Sequence, residues 1–231
     1  MHRIEGALTY IGRVLLSTTP DERLSLIRSQ RLIRPLHLYV AYQIYSRFNV
    51  SPEAILLEAK LPLKNVDVLV VEKVGSQALP VMAISIRSQL ASIKKNFTNN
   101  VNQLQGELLA LRSYHPTLSV GLLYLLSRKD YTTGEDCVEY YTKQIPKKLL
   151  PLIGVGGFAR DRFDAALILV ADWNEKGEPQ QVGVPALSFL EAYNEENFWH
   201  EVSLLIGKSA IYSPYTLAVL MKDEEQRKFL N

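Results

Sequence analysis

Between Leu90 and Leu111 the apolar residues Leu90, Ile93, Phe97, Val101, Leu104, Leu108 and Leu111 follow one another at steps of 3, 4, 4, 3, 4 and 3 residues. That spacing keeps one stripe of a 3.6-residue helix apolar and predicts a long helix lying on a core. His115-Pro116 ends it, because the residue before a proline is pushed out of helical geometry. Short β-rich runs flank the helix. VDVLVVE (66–72) and PVMAISIRSQ (80–89) precede it, with Gly75-Ser76-Gln77 between them as a hairpin signal, and SVGLLYLL (119–126) follows. Strand, strand, long helix, strand is an order that predicts an α/β domain with a mixed central sheet flanked by helices.

The rest of the chain is less sharply written. Leu24, Ile27, Leu32, Leu36, Val40, Ile44 and Phe48 predict one or two helices over 21–48, with Pro35 as boundary or kink. Ser51-Pro52 reads as an N-cap and first helical position, and the AILLEAKL that follows reads equally as a helix or a strand. A further strand is expected at 164–171, preceded by a helical or irregular segment over 135–150. A turn at Asn174-Glu-Lys-Gly-Glu-Pro, a helix over 186–208 and a charged terminal helix after Pro214 complete the chain. One domain over 1–231 is expected. Within it, 1–50 is an N-terminal helical part, 51–175 the core and 176–231 a C-terminal helical appendage.

Nearly half the residues are apolar and 22% are charged, as in a globular protein with a real core. The net charge of +2 is unevenly spread. Lys and Arg exceed Asp and Glu by 3 over residues 1–60 and by 5 over 86–160, whereas acids exceed bases by 6 over 161–231. Such asymmetry suits one face meeting a polyanion. The single cysteine, Cys137, excludes an internal disulfide and a cysteine zinc cluster, and points to a reducing, cytoplasmic setting. No run of eighteen or more apolar residues occurs, so no membrane span is expected, and the N-terminus does not read as a secretion signal.

Strand alternation puts Asp67, Leu69 and Val71 on one face and Val68, Val70 and Glu72 on the other. On the next strand Ser85 and Arg87 point one way, Ile84 and Ile86 the other. With Asp67 on the face of Ser85 and Arg87, a carboxylate, a hydroxyl and a guanidinium converge at one strand-end mouth. An aspartate inside a sheet is costly unless paired, solvated or metal-bound. At about 100° per helical step, Gln89, Asn96, Asn100, Gln103 and Glu107 fall in one wedge of roughly 60° beside the apolar stripe. That edge suits boundary residues bonded to loops, or a groove facing a ligand.

AISIRSQLASIKKN followed by QLQGELLALRSYHPTLSVGLLYLL resembles the core of type II restriction-endonuclease-like proteins of the PD-(D/E)xK superfamily, over about residues 50–130. The resemblance implies a restriction-endonuclease-like fold, an aspartate opening the second core strand, a (D/E)-x-K triplet on the third, and in some members a second acid on the following helix. Asp67 matches the aspartate, Ser85-Ile86-Arg87 stands where the triplet should be, and Glu107 is the acid on the helix edge. The implied activity is Mg²⁺-dependent hydrolysis of DNA by a homodimer. Asp67, Ser85, Arg87 and Glu107 would be catalytic and Asp67 and Glu107 the metal ligands. Gln89, Lys94, Lys95, Asn96 and Gln103 would contact DNA.

The sequence departs from the pattern twice, at Ser85 and at Arg87, and so admits a second reading, a nuclease fold that binds DNA or assembles without cutting. Arg87 stays protonated and cannot act as a general base, but its fork can hold a phosphate. Glu107 lies about five helical turns beyond Ser88, remote from Asp67 if the helix runs straight on.

Other signals lead elsewhere. Arg28, Arg31 and Arg34 recur every three residues as a basic ridge or a solvated helix surface. Gly154-Val-Gly-Gly-Phe lacks the Gly-Lys-Ser/Thr of a nucleotide loop and reads as a turn, so no nucleotide cofactor is expected. His2, His37, His115 and His200 show no metal spacing, and Trp173 and Trp199 suit packing as well as binding.

Overall fold

The hairpin predicted around Gly75 opens a six-stranded mixed sheet. The computed structural model describes residues 4–61, 64–75, 77–154, 161–181 and 185–211. Its strands, in spatial order, are β1 (Ile55–Leu61), β2 (Lys64–Val74), β3 (Gln77–Gln89), β4 (Ser119–Ser127), β5 (Ala165–Trp173) and β6 (Pro179–Gln181). β1, β2 and β3 pair antiparallel in succession, β3, β4 and β5 run parallel, and β6 folds back antiparallel on β5. The parallel β3–β4 step needs a crossover, and the predicted long helix supplies it. The helices are α1 (Ile4–Ser17), α2 (Pro20–Arg28), α3 (Arg34–Phe48), α4 (Ile93–Tyr114), α5 (Val138–Gln144) and α6 (Glu195–Ile211).

Period-two alternation divides the sheet between two cores. Val68, Val70, Ile84, Ile86, Leu123 and Leu125 face one side, where α1, α3 and α6 contribute Ile11, Leu36, Val40 and Phe198. Leu69, Val71, Ala83, Leu122, Tyr124 and Leu126 face the other, against Phe97, Val101 and Leu104 of α4 and Tyr141 of α5. All nine residues of β4 are buried, which explains its unbroken apolar run between two parallel neighbours. β1 is an edge strand, and its exposed Lys60 opposes edge-to-edge pairing.

Several expectations shift. AILLEAKL is a strand, and the helix start at Ser51-Pro52 yields a single 3₁₀ turn, Pro52–Ala54. The helical stretch over 21–48 breaks at Ser29 into α2, a 3₁₀ turn (Gln30–Ile33) and α3. Pro35 sits in the first turn of α3, where its missing N–H costs nothing. α1 and β6 lie outside the predicted elements. The segment over 135–150 is α5 followed by a π turn, Ile145–Leu149, and 186–208 is a kinked 3₁₀ run, Pro185–Tyr193, leading into α6. The glycine turn beyond Gly154 and the tail after Pro214 lie outside the described residues. Trp173 and Trp199 pack, their indole N–H groups donating to the Leu8 carbonyl (2.8 Å) and the Tyr39 hydroxyl (3.3 Å).

Candidate functional site

Asp67 stands where the β2–β3 ladder stops. The paired register runs from Val74–Gln77 to Val68–Ile84 and goes no further. In place of a backbone carbonyl, Oδ2 of Asp67 accepts the N–H of Ile86 at 2.7 Å. Alternation is also interrupted here, since Val66 packs in the α4-side core although Val68 and Val70 face the opposite side. The side-chain group beside Oδ1 is His37 of α3, its Nε2 3.9 Å away. Asp67 is 7% exposed.

His37 is almost wholly buried, and neither ring nitrogen has a hydrogen-bond partner among the described residues. It lies between two carboxylates, with Nδ1 3.9 Å from Glu58 and Nε2 facing Asp67. Burial holds its pKa below the ordinary imidazole value, against the pull of Asp67 and Glu58 and with help from Arg34 and Arg87.

Arg87 finds its carboxylate on α4. It ion-pairs with Glu107, and Lys64, at the start of β2, binds the other oxygen of the same carboxylate. α4 therefore crosses back over the strand end, and Glu107 is close to Arg87 despite its separation along the helix. Burial raises the pKa of Glu107, but the hydrogen bonds and charges of Arg87 and Lys64 outweigh this and hold it below the usual carboxylate range. Burial and the charge of Arg87 push the Lys64 ammonium down, against Glu107 and Asp67. For Arg87 burial acts downward, yet Glu107 and then Asp67 raise it overall. The field of Asp67 thus reaches both cations while its own contacts go to Ile86 and His37. Ser85, the β3 neighbour of Ile86, is buried, its hydroxyl without a partner among the described residues.

Outside this cluster opens a cleft of about 390 Å³. Arg87, Glu107 and Tyr124 line it from the sheet and helix, Asn100 and Gln103 from the polar edge of α4, and Arg28 and Ser29 from the end of α2. Two guanidiniums and two amides suit a phosphate or another oxyanion, with a bidentate fork on Arg28 and, once Glu107 is displaced, on Arg87. Asp67 is not among the residues that line it.

The remaining expected DNA contacts are distributed differently. Gln89 is buried and fully used: Nε2 donates to the Ile93 carbonyl at 3.0 Å, and Oε1 accepts the Tyr124 hydroxyl at 2.7 Å. It bolts β3 and β4 to the start of α4 and does not face a groove. The N-terminus of α4, a natural anion site, is occupied by Asp130. One oxygen takes the N–H of Ile93 (2.6 Å), the other those of Ser92 (3.0 Å) and Thr132 (2.8 Å). Lys94 pairs with Glu135 at 2.7 Å, Lys95 is exposed, Asn96 is half-buried, and none of the three lines the cleft. Gln103 does.

Sequence reading missed Lys64 and His37 and left Arg28 unassigned. A cation three residues before Asp67 and a histidine inside the apolar stripe of α3 were the available signals. Magnesium usually takes one or two carboxylates with water and phosphate. Here Asp67 has one oxygen committed to Ile86, and Glu107 is held by two cations. Among the described residues no three His, Cys, Asp or Glu side chains are grouped to hold a metal. Comparison with family profiles, curated proteins and solved structures returned no match.

Proposed function

We propose that this chain is a restriction-endonuclease-like protein that binds nucleic-acid phosphate in the Arg87 cleft and does not itself cut. The resemblance to that fold is supported by the element order: Asp67 on the second strand, Ser85-Ile86-Arg87 on the third, and an acid on the helix that follows. The observation that carries the binding reading is the closed set Lys64–Glu107–Arg87. The acid that would join Asp67 around a metal is instead engaged by two cations, and Asp67 serves the strand end. An incoming phosphate can exchange with Glu107 at Arg87, while Arg28 adds a second guanidinium. Such contacts supply affinity and position but read no bases.

A second reading is favoured by one specific observation. Two acids and two cations gather at the same strand end, with Lys64 held below its ordinary pKa. That regroups the ingredients of a metal-dependent nuclease, with Glu107 standing in for the acid absent at Ser85 and Lys64 for the lysine absent at Arg87. Magnesium would then have to draw Glu107 away from both cations.

Plasmid and oligonucleotide incubations with Mg²⁺ or Mn²⁺, beside anisotropy measurements of DNA binding, separate the two. Binding that weakens with salt, without metal-stimulated nicking, supports the first reading. Nicking lost in both Asp67→Asn and Glu107→Gln supports the second. Absence of DNA binding at low salt rejects both.

A further inference from the structure

The basic ridge Arg28, Arg31, Arg34 separates the cleft from a second, shallower depression of about 740 Å³ between α1 and α3. Arg28 lines the first, and Arg31 and Arg34 line the second. The 3₁₀ turn Gln30–Ile33 joins the two, and its three-residue period brings Arg31 and Arg34 to the same side. Beyond the arginines the surface is aromatic. Tyr10 is 56% exposed, Leu38 59%, Tyr42 44% and Tyr45 47%. Arg34, Leu38, Tyr42 and Tyr45 follow at steps of four, four and three, so they form one stripe about 16 Å long on α3. The rings of Tyr42 and Tyr45 lie 6.2 Å apart at 55°. No acid lines the depression among the described residues, but Arg34 at its rim is ion-paired with Glu58 of β1. Its Nε and one terminal nitrogen donate to the two carboxylate oxygens at 2.7 and 3.0 Å, so Arg31 is the cation of the depression outside that pair.

We propose that this face is the continuation of the nucleic-acid path and takes a single strand. The inference rests on the cleft reading above. A single strand seated by a phosphate at Arg87 passes Arg28 and Arg31, exchanges with Glu58 at Arg34, and lays its unpaired bases on Tyr10, Tyr42 and Tyr45. Exposed tyrosines interleaved with arginines are the means by which proteins hold single strands, since every base offers a π face whatever its identity. A duplex hides those faces and gains nothing from the tyrosines. The ridge thus acquires a role that a solvated helix surface does not give it.

The test uses the full chain, a fluorescein-labelled oligothymidylate and a labelled duplex of the same length, read by anisotropy. Wild type is expected to bind the single strand more tightly than the duplex. Tyr42→Ala with Tyr45→Ala should lose about tenfold on the single strand and leave duplex binding unchanged. Tyr42→Phe with Tyr45→Phe should bind as wild type, because the stacking ring is kept and only the hydroxyl goes. Arg87→Ala should weaken both ligands. Unchanged single-strand binding by the alanine pair, with Arg87→Ala weakened, overturns the tyrosine path and leaves the cleft reading standing. Weakening by the alanine pair alone, with Arg87→Ala like wild type, overturns the continuous path and the cleft reading together. If the alanine pair instead converts a dimer to a monomer in light scattering with DNA binding intact, the face joins two copies of the chain and the proposal fails.

Discussion

Oδ2 of Asp67 accepts the Ile86 N–H at 2.7 Å at the point where β2 and β3 cease to pair. The carboxylate does the work of a missing backbone carbonyl, so its removal should register as lost stability before any effect on chemistry. Asp67→Ala leaves a buried amide unsatisfied and should cost about 1–3 kcal/mol. Asp67→Asn keeps an acceptor oxygen and should cost less. Urea unfolding of the two variants checks the order, and equal costs would remove the strand-capping role.

Glu107 holds Arg87 and Lys64 against each other's repulsion and occupies the guanidinium that a phosphate would take. Glu107→Gln removes one negative charge from the cleft. DNA affinity at low salt should rise by about three- to tenfold. A metal-dependent nuclease would respond in the opposite sense, losing turnover with its ligand.

His37 contributes a pH dependence near neutrality. Its folded pKa lies below its unfolded value, so the unfolded chain binds the proton more readily. Above about pH 6.5 the ring is neutral in both states and adds no pH dependence, and stability falls as pH drops from there toward the folded pKa. Urea midpoints measured across this range should decline for wild type and decline less for His37→Leu. A curve of the same shape in the variant would assign the effect elsewhere. Glu107 acts in a lower window. Its folded pKa is depressed, so the stability it contributes is present above about pH 4.5 and is lost as pH falls through the folded value.

Gly12 and Gly177 let α1 approach the β5–β6 turn. A Cβ at Gly12 would fall 2.1 Å from Cδ1 of Trp173 and 2.4 Å from the Gly177 carbonyl oxygen, and the indole is fixed by its bond to Leu8. Gly177 has φ +73 and stands against the backbone of Arg13. Gly12→Ala should therefore destabilise by at least about 1–3 kcal/mol, whereas Gly106→Ala, with open space around it, should be neutral or slightly stabilising. Thermal melts of the two compare them directly.

The fold was legible wherever a period ran long enough. The stripe from Ile93 to Leu111 and the unbroken run in β4 each admit one interpretation. β1 was ambiguous because its seven residues, none of them buried, satisfy both periods, and it became a strand by pairing with β2. The site was legible one element at a time. Asp67, Ser85, Arg87 and Glu107 all lie near one strand end, but their pairing depends on how α4 crosses the sheet, which no local pattern encodes. Gln89 shows the same limit: helical geometry applied to it gave a groove residue, yet it belongs to β3, since α4 begins at Ile93. Lys64 and His37 come from separate elements and join the cluster only in three dimensions.

The account stands on Arg87 as a phosphate-binding group, and the direct measurement is DNA affinity against salt for wild type and Arg87→Ala. The account predicts weaker binding by the variant and a slope of log K on log salt shallower by about one. Identical affinities and slopes for the two proteins would contradict it.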